Sequence, residues 1–393
     1  MDFEFTQEEE AFRQEVRKFI ETEYLGTEWK GRVRGFIDCY VSGESDEEWG
    51  FVRAMAQKLA NKGWLSLAWP EKYGGRNSLF LQLILVEELG NSGCPGWDHF
   101  GIGMLAPTLI AIGSEEQKER FLPGIAKGGT FWCECLSEPN AGSDLASSQT
   151  RAVENDDHFL IDGQKIWTTL AHRADWGMVL ARTDPSQPKH RGLSFFLVDM
   201  KTSGIIVNPI IDNAGHHEFN EVFFDDVKVS KDNLVGGKNQ GWRVVMTLLD
   251  FERSGLPFYA MARLNLEDIL NYVRQRKHLN PVLRNQLAEL MVECEAGRLA
   301  HYRVVWMQSK GIIPDYESAM NKLYNLELCQ KVILTGMQVI ERYGVLLPES
   351  KWAPLRGRLP LIYLRSVGYT VEAGSSEIER NIIALRGLGL PGG

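Results

Sequence analysis

The stretch MTLLDFERSG (246–255) sets two acids and an arginine at the end of an apolar run, just before Gly255 and Pro257. Glu252 follows Val244, Val245, Leu248 and Leu249 at helical spacing. An idle carboxylate is costly to bury in such a stretch. Desolvation raises its proton affinity, which suits a base that takes a proton from carbon. The plainer reading is a surface acid paired with a neighbouring base.

Other stretches offer binding chemistry. In S-E-P-N-A-G-S-D (137–144), Ser137 and Ser143 carry hydroxyls and Gly142 lets backbone approach a ligand. An ordinary polar turn has the same composition. Trp167-Thr168-Thr169 supplies a flat face for stacking and hydroxyl donors, or else a core tryptophan beside strand-forming threonines. Gly374-Ser375-Ser376-Glu377 opens a helix, where free amides favour anionic or polar atoms. Cys133 and Cys135 share a face of a probable strand, without the second pair a metal site needs. His216-His217 could suggest a metal, but the pair reads as loop. Gly101-Ile102-Gly103 lacks the third glycine of a dinucleotide fingerprint.

These residues need a large scaffold. The chain has 393 residues, enough for two or three domains, with 44% hydrophobic and 24% charged residues. Its net charge is −9, with no basic block, which argues against nucleic-acid binding. The start MDFEFTQEEE has no apolar core, so no signal peptide is expected, and no run is long enough to span a bilayer. Six scattered cysteines make no disulfide framework, so a cytoplasmic setting is expected.

Thr6 to Glu9 has capping-box form, and Phe12, Val16, Phe19 and Ile20 mark one helical face. Further helices are predicted over 48–65, 78–90 and 114–122, the last ending near Leu122-Pro123-Gly124. Strand chemistry takes over at 177–183, 192–200, 204–211 and 220–229, suiting a compact sheet or barrel. Helical period returns over 241–254, 258–278, 281–309, 315–343 and 374–386, which suggests a bundle. The fold class is therefore α+β and mostly α: an N-terminal helical domain (1–130), a central β domain (131–240) and a C-terminal bundle (241–393).

The ordered motifs CECLSEPNAGSDLAS (133–147), DGQKIWTT (162–169), HRGLSFFLVDM (190–200), HEFNEVFFDDVKV (217–229) and NLVGGKNQGWRVV (233–245) closely resemble the acyl-CoA dehydrogenase family of flavoproteins. WPEKYGG (69–75) and EAGSSEIERNIIA (372–384) fit it too, so the resemblance spans essentially the whole chain. It implies an FAD cofactor, with Cys135, Leu136 and Ser137 along the flavin ring and Gly142 and Ser143 near the ligands. It also brings Trp167, Thr168 and Thr169 to the flavin, and Arg276, Gln338, Ser375 and Glu377 to other parts of FAD. Trp97-Asp98-His99 either caps a helix or lines the acyl end of the pocket. Two departures stand out: no aromatic follows in Arg276-Lys277-His278-Leu279, and Gln338 is followed by Val339-Ile340-Glu341-Arg342-Tyr343-Gly344 in place of a glycine-rich turn. The adenosine end of the FAD site is expected to differ accordingly, as in a bacterial branch acting on bulky acyl chains.

Many family members place their base immediately before the glycine of the C-terminal motif, and Ala373 stands there. Glu372 is one residue early and is the alternative base. An isovaleryl-like and long-chain-like subgroup carries the base in L-D-x-E-R on a bundle helix, matching Leu249-Asp250-Phe251-Glu252-Arg253. The resemblance thus implies that Glu252 takes the α-proton of an acyl-CoA while flavin N5 takes the β-hydride, giving a trans-2-enoyl-CoA. The Ala373 amide would donate to the thioester oxygen, with Asp250 and Arg253 near CoA or a subunit boundary and Ser143 near substrate. Electrons would pass to an electron-transfer flavoprotein, and the assembly would be a homotetramer, or a heterotetramer. An O₂-using acyl-CoA oxidase and the non-catalytic subunit of a heteromeric dehydrogenase are the competing readings.

Overall fold

The computed structural model describes residues 4–34, 45–255, 257–276 and 279–391. Helices start where side chains satisfy their first amides. Thr6 Oγ1 accepts from Glu9 N–H at 3.2 Å, and the Glu9 carboxylate accepts from Thr6 N–H at 2.8 Å. This capping box opens α1 (Gln7–Ile20), whose Phe12, Val16 and Ile20 are buried. Equivalent boxes at Ser45 and Ser114 open α2 (Asp46–Asn61) and α5 (Glu115–Ala126). Between them lie α3 (Leu79–Ser92), a π-helical turn (His99–Leu105) and α4 (Ala106–Ile112).

Two compact units form, each from separated stretches of chain. One comprises residues 1–42, 78–95 and 256–393. In it α7 (Phe258–Arg274), α8 (Pro281–Ser309) and α9 (Tyr316–Ile340) pack mutually, α3 packs on α7, and α10 (Arg358–Ser366) and α11 (Ser376–Ile382) pack on α9. A buried ion cluster ties this unit together. Arg13 donates to Glu87 and Glu88, each at 2.6 Å, and Tyr259 donates to Glu87 at 2.6 Å.

The second unit, residues 43–77 and 96–255, holds the sheet. Its strands are β1 (Trp132–Cys135), β2 (Arg151–Glu154), β3 (His158–Lys165), β4 (Trp176–Arg182), β5 (Leu193–Asp199), β6 (Ile205–Ile210), β7 (Phe219–Ser230) and β8 (Leu234–Val235). The order is β6-β7-β3-β2-β4-β5-β8, with β1 parallel to β4. Of the two forms the strand pattern allowed, the molecule builds the open sheet. Cys133, Cys135, Phe159, Ile161, Val179, Phe196 and Val222 fill the core on one face. On β4 and β5 lies α6 (Gly241–Gly255), whose Val244, Val245 and Leu248 are fully buried. Gly241 makes this approach possible: a Cβ there would stand 2.5 Å from the Ser194 carbonyl carbon.

The four strands and the long helices predicted from residue pattern all form, with ends shifted by a few residues. Three local features differ. Pro123 does not stop α5, which runs on to Ala126 because Phe121, Leu122 and Ile125 are buried and Lys127 N–H bonds the Pro123 carbonyl at 3.2 Å. The segment around Arg358 forms an additional helix, α10; its Pro360 sits in the first turn, where a missing amide costs nothing. The run before Trp167 leaves the sheet at Lys165, and Trp167 and Leu170 adopt positive φ of 61° and 55°.

Candidate active site

In the sheet-bearing unit, the 133–150 segment is held by a buried ion pair. Lys165 Nζ donates to Glu138 Oε1 at 2.8 Å and to the Leu136 carbonyl at 2.9 Å. Glu138 also accepts from Gln149 N–H at 2.6 Å and Thr150 N–H at 2.9 Å. Burial pushes the Glu138 carboxyl up, but the Lys165 ammonium and these amides outweigh it and hold it below the usual range. Glu138 and Ala141 exchange backbone hydrogen bonds at 3.0 Å, making a tight reversal that leaves Gly142 and Ser143 exposed. Ser137 is half-buried, and Leu136 is buried. Cys135 points its sulfur into the core, 3.9 Å from that of Cys133, so only its backbone faces the motif.

The Ser137 carbonyl accepts from Ile166 N–H at 3.0 Å, which sets Trp167 beside the Ser137 turn. Asn220, fully buried, clamps the turn: its carbonyl accepts from Thr168 N–H at 3.0 Å and its Nδ2 donates to the Thr168 carbonyl at 2.9 Å. His217 bonds the same Asn220 side chain at 2.7 Å and stacks on His172, with ring centroids 3.9 Å apart. Burial, then the neighbouring charges of His217 and Arg173, push His172 down to about 4. The clamped turn leaves the Trp167 indole 56% exposed and the Thr168 hydroxyl buried, with no hydrogen-bond partner for Oγ1 among the described residues. Thr169 is half-buried.

Glu252 is half-buried on the last turns of α6, and its Oε2 is shielded from solvent. Asp250 is exposed; Arg253 is half-buried, 3.9 Å from Asp250. The π-helical turn packs on both α6 and β1. Asp98, at its start, is buried, and burial pushes its carboxyl up to about 7 against the pull of the Gly101, Trp132 and Phe100 amides. β1 contributes an acid that residue spacing had not singled out. Burial, then the charge of Glu252, pushes Glu134 well above the usual carboxylate range. Its signal was present: an acid between two cysteines on an apolar strand.

In the helical unit, Ala373 and Gly374 both adopt positive φ, 54° and 92°. Ser375 caps α11, accepting from Ile378 N–H at 3.3 Å, and Glu377 is exposed in its first turn. Lys322 donates to the Gly374 carbonyl. Glu372 accepts from buried Arg365 at 2.9 Å. Arg276 lies over the Tyr272 ring, 4.5 Å from its centroid, and Gln338 is exposed near the end of α9. The altered segment after Gln338 keeps a left-handed residue without a glycine, Glu341 at φ 51°. Lys277 and His278 lie outside the described residues. Among the described residues, no group of three His, Cys, Asp or Glu side chains could hold a metal, and no helix is long and apolar enough to cross a membrane.

Comparison with known proteins gives matches across the chain. Models of the acyl-CoA dehydrogenase N-terminal, middle and C-terminal domains match residues 6–129, 133–227 and 239–388. The acyl-CoA dehydrogenase IpdE1 of Mycobacterium tuberculosis is 35% identical, covering 93% of this chain and 97% of its own. Acyl-CoA dehydrogenase FadE26 of the same organism is 31% identical over 100% of this chain and 99% of its own. Among solved structures, the Tcur3481-Tcur3483 steroid ACAD has a TM-score of 0.89 at 30% identity, covering 100% of both chains. The ChsE4-ChsE5 complex from Mycobacterium tuberculosis has a TM-score of 0.87 at 30% identity, again covering 100% of both.

Proposed function

Since this chain belongs to the acyl-CoA dehydrogenase family of FAD-dependent oxidoreductases, we propose that it desaturates a bulky acyl-CoA thioester between Cα and Cβ, with Glu252 as the base. The observation that carries this reading is the half-buried Glu252 on α6, with its Oε2 out of solvent. A shielded carboxylate is a stronger base than a hydrated one. The alternative, Glu372, is already engaged by a hydrogen bond from Arg365.

The residues fit the cofactor the family uses. The exposed Trp167 indole offers a wall for a flat ring, and the buried Thr168 hydroxyl has a donor to give. Ser137 and Thr169 supply further hydroxyls on the same clamped turns, while Ser143 and Gly142 line the open reversal. Leu136 and the Cys135 backbone complete that side. Arg276, Gln338, Ser375 and Glu377 serve the remainder of FAD. Bound FAD supplies the acceptor for the hydride lost from Cβ. Glu252 takes the proton from Cα, so the C–H electron pair becomes the new double bond as the hydride departs. The Ala373 amide donates to the thioester oxygen and holds the developing enolate charge. Asp250 and Arg253 act at the CoA end.

Bulky acyl groups are favoured because two structural relatives of full-length coverage include one titled a steroid ACAD. Reoxidation falls to an electron-transfer flavoprotein. A cytoplasmic tetramer, homomeric or built with a second related chain, is the matching assembly; the ChsE4-ChsE5 relative is titled a complex of two chains.

The test is anaerobic bleaching of the purified yellow protein by short, branched, cyclic and steroid-side-chain CoA thioesters. Glu252→Gln is expected to retain FAD and lose turnover. Unchanged turnover in that variant would remove Glu252 as the base. Peroxide release matching turnover would assign an oxidase instead.

A further inference from the structure

Cys133 and Cys135 turn their sulfurs into the sheet core, where both are fully buried. The pleat turns the residue between them the other way. Glu134 therefore lies on the opposite face, level with Met178 of β4 in the parallel register. No residue of α6 belongs to the cysteine-side core, yet α6 packs on β4 and β5, so it covers the Glu134 face. The π-helical turn packs on both α6 and β1 and closes the third side.

Glu134 Oε1 is shielded from solvent and has no hydrogen-bond partner among the described residues. The elements packed around it bring little positive charge. His99, the only titratable residue within the π-helical turn, is pushed down to about 3 by burial. Asp98 at the start of that turn is acidic, and burial pushes it up to about 7. The one charged residue of β4, Arg182, donates to the Ala146 carbonyl at 2.6 Å and the Ser148 carbonyl at 3.1 Å. On α6, Arg243 is exposed and Arg253 lies near Asp250, while Glu252 adds a like charge. The thiols of Cys133 and Cys135 flank Glu134 on its own strand.

Glu134 and Glu252 are each half-buried with one oxygen out of solvent, and the charge of one raises the proton affinity of the other. Two such carboxyls do not readily both ionise near neutral pH. Resting on the reading of Glu252 as base, we propose that Glu134 is its positioning residue: the two carboxyls form a pair carrying one negative charge, with the proton on Glu134 and the charge on Glu252. Glu252 is then ready to accept a proton, and the cleft avoids a second buried anion. Ionisation of Glu134 at alkaline pH would change the strength of the base and repel a developing enolate.

Glu134→Gln keeps the shape and removes the titration. Infrared spectra of the purified flavoprotein at neutral pH should show a protonated-carboxyl C=O band in the wild type that this variant lacks. The wild-type band should fade on alkaline titration. In kcat/KM against pH, the wild type should carry an alkaline ionisation that Glu134→Gln lacks or shows displaced by about one pH unit or more. No difference in the band, or superimposable pH profiles, overturns the pairing. Should Glu134→Gln fail to fold, Asp98→Asn removes the other raised carboxyl: a band that persists in that variant and fades in alkali supports the proposal, and its absence there refutes it. Failure of the functional reading looks different, since Glu252→Gln would then keep turnover whether or not the band is present.

Discussion

Replacing Lys165 by methionine should be among the most damaging single changes in the sheet-bearing unit. Lys165 is fully buried and Glu138 is 8% exposed. Without the ammonium, Glu138 loses its ion-pair partner but keeps the Gln149 and Thr150 amides, and the Leu136 carbonyl loses its Lys165 donor. Breaking a buried ion pair from one side costs about 3–5 kcal/mol, because the surviving charge stays dry. At about 1.4 kcal/mol per tenfold, that is roughly two to three and a half decades in the unfolding equilibrium of this unit. The Glu138→Gln/Lys165→Met double variant removes both charges and should recover most of the loss. Denaturant titrations of the four proteins of the cycle measure the coupling directly. Flavin content on purification should fall with Lys165→Met, since Glu138 anchors the reversal carrying Gly142 and Ser143. The sign with pH is fixed as well. The Glu138 carboxyl is held below its unfolded value, so its pairing stabilises the fold above that value and is lost as pH falls through the folded one. The gap between wild type and Lys165→Met should therefore narrow in acid. A Lys165→Met protein within about 1 kcal/mol of wild type at neutral pH would refute the assignment of this pair as the anchor.

Gly241→Ala tests how α6 is aimed. Helix propensity alone would favour alanine by about 1 kcal/mol. The added Cβ would meet the Ser194 backbone at 2.5–2.7 Å, and such overpacking costs about 1–3 kcal/mol. Because α6 carries Glu252, a displacement of about 1 Å should cost turnover about a hundredfold; a more stable variant with full turnover would contradict this. His172 is held neutral by its surroundings, so the unfolded chain binds the extra proton between pH 6.5 and about 4. Its contribution is present above pH 6.5 and is lost on acidification through that window. His172→Phe should flatten the fall of the unfolding temperature and of flavin retention there, and an unchanged pH dependence would dismiss the stacked histidines as its source.

Much of this was legible in the residues themselves. The capping box at Thr6 is a local arrangement of four neighbours, so its spacing is its structure. The alternation of β7 and the apolar face of α6 record burial directly. Features that depend on partners were not legible. Pro123 looked like a stop because a missing amide is a local fact, whereas burial of Phe121 and Ile125 is not. The positive φ of Trp167 and Leu170 accompanies hydrogen bonds from Thr168 N–H to Asn220 and from Leu170 N–H to Glu218, and no glycine announces it.

Local order along the chain determined the elements, their sequence and the L-D-x-E-R helix that bears Glu252. Only folding decided which distant charges meet. Lys165 reaches Glu138 across 27 positions, and the charge of Glu252 bears on Glu134, which strand pairing sets on the sheet face that α6 covers. Period and propensity are carried by neighbouring residues. The proton affinity of a carboxyl depends on whatever the fold brings beside it and on the water it keeps out.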